Sequence, residues 1–412
     1  MTTGKYQMKL PIGDGATRTV TLIDSDRNLV VDEIRVDEFT DISAQIREQS
    51  PLYRGWNLMG NSKGFLAGGR SVAGPTSVTW EPITYESSDQ IISFPFSAES
   101  THTDVANLHH EQGFASGAQS ETDAYMLGGI RAGSTQQPPY LYGSNIQKFS
   151  FASTSDATIS GQLTQIRATN AGHSSSTNGY SSGGAIGPFN TAVNTIEKFP
   201  FSADGNMTDV GDLVNAVRFA AGVSSVNHGY SVTGAQGDEN PAYAINVIQK
   251  FPFAADGNST DVGDLIAGAP QPGPSSGSSD RVGMAGFQDI SSGGNYGFVA
   301  GGMAGPPSPG YQLYSVIPGS VQRFSFSSDG NATIIGEINM GPYNSKTHQT
   351  GVTSSSKGYL IGGAARGATG DAYSFPFAIA DAASAGTNIH STAWTDATNV
   401  PRKYAGTMGT FV

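Results

Sequence analysis

Segment 196–206, Ile-Glu-Lys-Phe-Pro-Phe-Ser-Ala-Asp-Gly-Asn, returns at 248–258 as Ile-Gln-Lys-Phe-Pro-Phe-Ala-Ala-Asp-Gly-Asn. Two phenylalanines at a spacing of two lie on one face of a β-strand, and Asp-Gly-Asn favours the tight turn of a hairpin. A proline between them cannot donate a hydrogen bond within a sheet, which predicts an edge strand or a bulge. The pair occurs six times, at Phe94/Phe96, Phe149/Phe151, Phe199/Phe201, Phe251/Phe253, Phe324/Phe326 and Phe375/Phe377.

Three further segments accompany each pair and complete a repeating unit of four strands, named a to d. Strand b precedes the pair and runs from an aromatic residue to glycine. Its aromatic residues are Phe65, Tyr125, Tyr180, Tyr230, Phe298 and Tyr359. Strand c carries the pair, and strand d follows it, as in Thr208–Leu213 (TDVGDL). Strand a is a segment of small residues before the next strand b, as in Arg218–Val223 (RFAAGV).

Six four-stranded units predict an all-β fold, a β-propeller. Small residues on strand a allow the sheets to converge at the axis, and aromatic residues on strands b and c fill the wedge between blades. We place the last strand d at Thr395–Val400 and expect the segment 402–412 to close the first blade as its strand a. The competing possibility is that Trp56–Met59 is that strand, and seven blades are the alternative to six.

The composition excludes several classes of protein. Of 412 residues 54 are glycine and none is cysteine, and only 14% are charged, which disfavours a helical fold, a disulfide framework and a thiolate zinc site. The net charge of −12, with 22 lysines and arginines, argues against nucleic acid as a partner. No apolar run is long enough to span a bilayer and the first residues lack a secretory signal, so we expect no membrane insertion.

An aromatic strand ending in Gly-Gly and followed by a second aromatic strand resembles the kelch repeat over roughly residues 55–412. The tryptophan that kelch blades carry on strand d is absent, and Val210 or Val262 lies near its place. The fuller pattern, I-x-K-F-P-F-x-x-D-G-N-x-T-D-V-G-D-L and then G-Y-x-x-G-G, is similar to repeat proteins of marine tailed bacteriophages, especially cyanophages. This resemblance implies a tail-fibre protein or another virion component, made in the host cytoplasm and present in several copies.

Residues 1–50 differ from the remainder and define a predicted boundary, with a propeller at 51–412. They hold 15 of the 56 charged residues. Thr19–Ile23, a turn at Asp24–Asp26 and Leu29–Phe39 predict a β-hairpin. Because a lone hairpin is marginally stable in water, we expect it to pack against another surface. Either it packs on its own propeller, or it is an anchor that binds other virion proteins.

Candidate catalytic and metal-binding residues are few, and we predict no enzyme and no cofactor. Gly273–Gly277 fits G-x-S-x-G but lies between flexible sequences rather than at a strand-to-helix turn. His109-His110-Glu111 lacks a third histidine at ligand spacing. The Asp-Gly-Asn turns offer oxygen ligands for calcium, although the same residues are typical of hairpin turns. The calcium candidates are Asp204, Asp209, Asp256 and Asp261.

The lengths of the loops predict which face of the propeller binds a ligand. In an antiparallel blade the a–b and c–d turns share one face, and the b–c and d–a connections share the other. The long connections 70–90, 266–282 and 303–320 belong to the second face. It also carries aromatic residues suited to a glycan or a protein, unless these rings only cover the blades. They are Trp80, Tyr85, Tyr140, Tyr142, Tyr243, Tyr311 and Tyr314.

The leading functional hypothesis is therefore a non-enzymatic virion protein of a phage, presented on the tail or fibre complex for recognition of the host surface. A capsid-decorating or purely architectural component is the second hypothesis. A propeller enzyme acting on glycans is the third, and it would require an acidic or histidine cluster at the axial mouth, which the small residues of strand a do not predict.

Overall fold

The computed structural model describes the chain in fifteen ranges: 6–11, 17–23, 62–73, 84–99, 101–131, 142–187, 191–236, 243–266, 281–289, 295–304, 320–338, 350–362, 372–378, 387–390 and 409–411. All regular secondary structure within these ranges is β, without a helix. Backbone contacts divide the chain into two compact units, Met1–Ser50 and Pro51–Val412.

The first unit contains one antiparallel hairpin, in which Tyr6–Pro11 pairs with Thr17–Ile23. The predicted hairpin shared the strand at Thr19–Ile23 but gave it a partner on the other side, Leu29–Phe39, which lies outside the described residues. Gly13-Asp14-Gly15 lies between the observed strands in sequence. Asp-Gly is a stronger hairpin signal than the Asp-Ser-Asp sequence used for the prediction.

The second unit is a propeller of six four-stranded antiparallel sheets, so the prediction of six blades is confirmed and the alternative of seven is wrong. In the order a, b, c, d the strands are Gly409–Phe411, Lys63–Ala67, Gln90–Pro95 and Thr103–Asn107 in blade 1; Ser116–Gln119, Asp123–Leu127, Asn145–Ser150 and Thr158–Gln162 in blade 2; Ala171–Ser174, Asn178–Ser182, Thr195–Pro200 and Thr208–Asp212 in blade 3; Ala221–Ser224, His228–Gln236, Tyr243–Pro252 and Thr260–Asp264 in blade 4; Arg281–Gln288, Tyr296–Ala304, Ser320–Ser325 and Thr333–Glu337 in blade 5; Thr350–Thr353, Lys357–Ile361, Ala372–Pro376 and Thr387–His390 in blade 6.

Two details of these strands differ from the sequence predictions. Strand d of blade 6 is Thr387–His390, paired with strand c from Ala372 to Ser374, whereas the predicted strand Thr395–Val400 lies outside the described residues. Strand c is an interior strand between b and d, not an edge strand. Its proline is the last residue of the strand, as Pro200 is in blade 3, where no further donation to strand d is needed.

Closely packed glycines bring the inner strands together around the axis. Each strand a contacts the strands a of both neighbouring blades, and the ring closes where Gly409–Phe411 contacts those of blades 6 and 2. A Cβ added at Gly172 would fall on the carbonyl oxygen of Gly117 in the preceding blade, and one at Gly222 on that of Gly172. Small residues are therefore required on strand a, as predicted.

Aromatic side chains fill the wedges between blades in the predicted way. The aromatic residue of each strand b packs on two phenylalanines of the next blade, one within strand c and one directly after its last residue. Tyr180 lies 4.7 Å from Phe253 and 5.8 Å from Phe251 between ring centroids. Tyr359 of blade 6 closes the circle on Phe94 and Phe96 of blade 1, at 5.4 and 5.1 Å. Such pairs each contribute about 0.5–1.5 kcal/mol beyond the burial of their apolar area.

The b–c connections extend beyond the blades as small ladders. In blade 1, Arg70–Ala73 pairs with Thr84–Ser87, and in blade 3 Ala185–Ile186 pairs with Thr191–Ala192. In blade 4 strands b and c continue through a bulge to the pair Gln236 and Tyr243. In blades 2, 3 and 4 a single bridge joins this part of the blade to the d–a connection before it, at Gly113–Ile130, Ala168–Ala185 and Arg218–Ala235.

Candidate functional site

The two faces of the propeller differ in the regularity of their connections. On one face the c–d turns are seven residues long in blades 1–5 and the a–b turns are three residues long in blades 2, 3, 4 and 6. On the other face the b–c connections range from six residues in blade 4 to twenty-two in blade 1, and the d–a connections also vary. We call this second face the variable face.

Of the aromatic residues predicted on the variable face, only Tyr142 has a described side chain. It bridges Ile130 through the backbone, and the residue is 8% exposed in a cluster with Ile130, Ala168 and Phe114. Tyr142 therefore supports the base of a connection. Tyr85 and Tyr243 lie in the strands Thr84–Ser87 and Tyr243–Pro252, while the others lie outside the described residues: Trp80, Tyr140, Tyr311 and Tyr314.

A series of three backbone hydrogen bonds links blades 2 to 5 near the start of strand a, three residues before its central glycine. The N–H of Thr169 donates to the carbonyl of Phe114 at 2.8 Å, Phe219 to Thr169 at 2.9 Å, and Gly283 to Phe219 at 3.0 Å. All four residues have left-handed backbone, with φ of 55°, 58°, 60° and 67° from blade 2 to blade 5. These four residues are named the axial mouth, because strand a is the innermost strand of each blade.

Two phenylalanine rings meet at the axial mouth. Phe114 of blade 2 and Phe219 of blade 4 are 6.4 Å apart between centroids at an interplanar angle of 74°, although blade 3 lies between them. Both side chains are partly exposed, and the guanidinium of Arg218 lies 5.8 Å from the centroid of the Phe219 ring. The sequence predictions missed this pair. Its signal was a single aromatic residue within each small-residue segment, Gly113-Phe114-Ala115 and Arg218-Phe219-Ala220.

In blades 2 to 5 a buried polar residue of strand c holds the preceding d–a connection beneath the variable face. The carboxamide oxygen of Gln249 accepts the backbone N–H of Asn215 at 2.7 Å, and that of Gln322 accepts the N–H of Ile266 at 2.8 Å. Gln147 accepts the N–H of His110 at 2.8 Å. These side chains are nearly fully buried, so they fix the path of the connections and are not accessible to a ligand.

Blade 3 replaces this amide by a carboxylate. Glu197 accepts the N–H of Thr164 at 2.7 Å and pairs with the guanidinium of Arg167 at 2.6 Å, and both charged side chains are 0% exposed. Arg167 also donates to the carbonyl of Gly183 at 3.1 Å. Burial lowers the pKa of Arg167, and the charge of Glu197 opposes that change. At the equivalent place in blade 2, Gln112 donates to the carbonyl of Gly128.

The calcium candidates have protein partners. Lys148 of blade 2 pairs with Asp204 of blade 3 at 3.2 Å, and Lys198 pairs with Asp256 of blade 4. The carboxylates of Asp209 and Asp261 each accept a backbone N–H two residues on, at 3.2 Å. Among the residues that the structure describes, no three histidine, aspartate or glutamate side chains come together as metal ligands.

The histidine pair lies in the d–a connection before blade 2. His109 and His110 contact each other at 4.4 Å between ring centroids. Partial burial, the charge of Arg131 and the proximity of His109 lower the pKa of His110. The segment Gly273–Gly277 lies outside the described residues.

These features define the class: a six-bladed β-propeller, compatible with a kelch-like propeller, whose variable face surrounds an aromatic axial mouth. No protein-family model matches the chain, and no curated protein is significantly similar to it. Among the described residues there is no helix that is long and apolar enough to cross a membrane.

Proposed function

We propose that this chain is a non-enzymatic structural protein of a phage virion, and that its propeller recognises the host surface through the variable face. In this proposal the propeller belongs to the tail or fibre complex, residues 1–50 bind other virion proteins, and several copies are present in the particle. The similarity of the repeat pattern to proteins of marine tailed phages supports the virion assignment.

The contrast between the two faces carries the recognition part of the proposal. Variation in loop length on one side of a rigid scaffold is typical of binding sites, because loops change without disturbing the packed strands. Here the blades share one packing scheme, while their b–c connections differ by up to sixteen residues. Three aliphatic side chains of the d–a connections are also exposed on this face in consecutive blades: Ile166, Val214 and Ile266 at 50%, 54% and 41%.

The chain offers a clean test because it contains no cysteine, so a single introduced thiol is a unique attachment point. Val214→Cys places that thiol on the variable face. Val226→Cys places it in an a–b turn on the opposite face, at a similarly exposed valine, 61%. Both variants are coupled to a bulky maleimide polymer, and binding of the labelled chain to cells of the host strain is measured.

We expect the polymer at position 214 to abolish cell binding and the polymer at position 226 to leave it within twofold of the unmodified chain. Equal inhibition by the polymers at the two positions, or no inhibition by either, would contradict recognition through the variable face. A cryo-electron microscopy map of the particle tests the location. If the variable face is buried against other virion proteins, the recognition proposal fails and an architectural role is favoured.

A further inference from the structure

Phenylalanine is an unfavourable residue at the two places where the axial mouth holds it. Left-handed backbone brings the Cβ of an L-residue too close to its own carbonyl, and bulky residues adopt it rarely. Blade 5 has Gly283 at the equivalent position. Its φ of 67° is also left-handed, but glycine has no Cβ and avoids this steric cost. Phe114 and Phe219 therefore keep aromatic rings where glycine fits the backbone better.

Packing explains only part of this choice. Phe114 lies against the cluster of Ile130, Tyr142 and Ala168, and the two rings contact each other across blade 3. Both nevertheless remain partly exposed. A strained backbone that holds partly exposed aromatic rings is more typical of a binding site than of a core.

We propose that the axial mouth is a saccharide-binding site, in which the apolar face of one sugar ring stacks on one of the two rings, Phe114 or Phe219, and its edge contacts the other, because the rings are inclined at 74°. This inference deepens the proposed recognition role and rests on it for its biological purpose. A pyranose has apolar C–H faces that pack against aromatic rings, and hydroxyl groups at its edge that remain hydrated.

A sugar suits this site better than a peptide does. Extended peptides bind largely through main-chain hydrogen bonds, but the amides of Thr169, Phe219 and Gly283 already donate to the neighbouring blade. The mouth therefore offers aromatic surface rather than a row of backbone donors.

The test uses glycine variants that remove a ring and relieve the backbone at once. Phe114→Gly and Phe219→Gly are compared with Thr169→Gly. This matched control lies between them in the axial mouth and places glycine on the same left-handed backbone, without removing an aromatic ring. Phe219→Tyr retains an aromatic ring and serves as the rescue variant. The probes are the methyl glycosides of glucose, galactose, mannose and N-acetylglucosamine, with N-acetylphenylalaninamide representing a peptide. Saturation-transfer NMR on the full chain reports contact, and near-ultraviolet circular dichroism reports folding.

We expect at least one glycoside to receive saturation, strongest on the protons of one ring face. The signal should fall at least fivefold in Phe114→Gly and in Phe219→Gly. It should stay within twofold in Thr169→Gly and persist in Phe219→Tyr. Saturation of no glycoside, saturation of the peptide probe alone, or undiminished signal in folded Phe114→Gly and Phe219→Gly would overturn the site. If cells are still bound in a manner blocked at position 214, the proposed function stands without this site. If sugars bind the mouth but cells are not bound, the site stands and the recognition role fails.

Discussion

Single buried polar residues distinguish one blade from the next, and His173 is the clearest case. It lies on strand a of blade 3, fully enclosed, with Nδ1 3.2 Å from the carbonyl of Val223 and Nε2 2.8 Å from the hydroxyl of Ser182. Its ring meets Phe251 edge to face at 5.0 Å. The corresponding residue of blade 4 is Val223, so the histidine occupies a place in the wedge where an aliphatic side chain also fits.

Burial lowers the pKa of His173 to about 4, which predicts a dependence of stability on pH. Between about pH 6.5 and 4 the unfolded chain binds a proton at this histidine that the folded chain does not bind. The contribution of His173 to the free energy of unfolding is therefore fully present above pH 6.5 and decreases as the pH falls. The histidine should account for a loss of about 3 kcal/mol over this window. Urea unfolding of the native chain and of His173→Gln at several pH values measures it. Parallel curves for the two proteins would contradict the assignment, and His109→Gln, at an exposed histidine, is the control.

The buried pair Arg167–Glu197 makes a second prediction at this scale. Glu197→Gln leaves a buried guanidinium without its counter-charge and should cost about 3–5 kcal/mol of unfolding free energy. Adding Arg167→Gln recreates the two amides of blade 2, where Gln147 donates to Gln112 at 2.5 Å, and should recover much of that loss. Denaturant unfolding of the single and double variants gives the coupling energy. Strictly additive losses would show that the pair is not energetically coupled.

At the scale of strands, the regular spacing of the repeat predicted strand positions that the exact residue sequence did not. The aromatic strands b and c were located from their residue pattern because side-chain period and wedge packing leave few alternatives. The last strand d was misplaced because Thr395-Asp396 imitates the Thr-Asp of other blades. Ten residues separate Pro376 from Thr387, the first residue of the observed strand, which is closer to the seven of the other blades. Spacing is fixed by the c–d turn, so it locates strand d better than the identity of individual residues does.

The candidate site was less predictable than the strands. Connection lengths indicated the variable face, since they follow from the repeat. The aromatic mouth was missed because Phe114 and Phe219 are adjacent only after blades 2, 3 and 4 have closed around the axis. Their left-handed backbone also has no sequence signal, because glycine or asparagine is expected there.

The strand a glycines give a prediction at the element scale. Gly172→Ala places a methyl group on the carbonyl oxygen of Gly117, which belongs to backbone and cannot rotate away. We expect a loss of about 1–3 kcal/mol or more, as for other overpacked sites. Gly257→Ala is the matched control, because a Cβ there meets nothing within 4 Å, and it should be nearly neutral. Thermal unfolding compares them, and equal midpoints for the two variants would refute close packing at the axis.

At the scale of the whole propeller, each blade is stabilised mainly through both neighbours. Strand b of one blade meets strand c of the next through aromatic rings, and the c–d turns add ion pairs such as Lys250–Asp329 at 2.5 Å. Asn331 of that turn also accepts the N–H of Asp264 in the preceding blade at 3.0 Å. Since every blade makes the same kinds of contact, the propeller is most stable when the first and last blades also contact each other.

The strand that closes the ring is short, which makes it the place to test this circular dependence. Gly409–Phe411 pairs with Lys63–Ala67 of blade 1 and contacts the inner strands of blades 2 and 6. Removal of Gly409–Val412 should lower the unfolding midpoint, and amide hydrogen exchange should rise first in strands b and c of blade 1, because the inner edge of that sheet loses its partner. Removal of Val412 alone, which follows the strand, is the control. Protection in blade 1 that stays equal to that of blade 4 after the longer deletion would show that the remaining blades hold the ring without the closing strand.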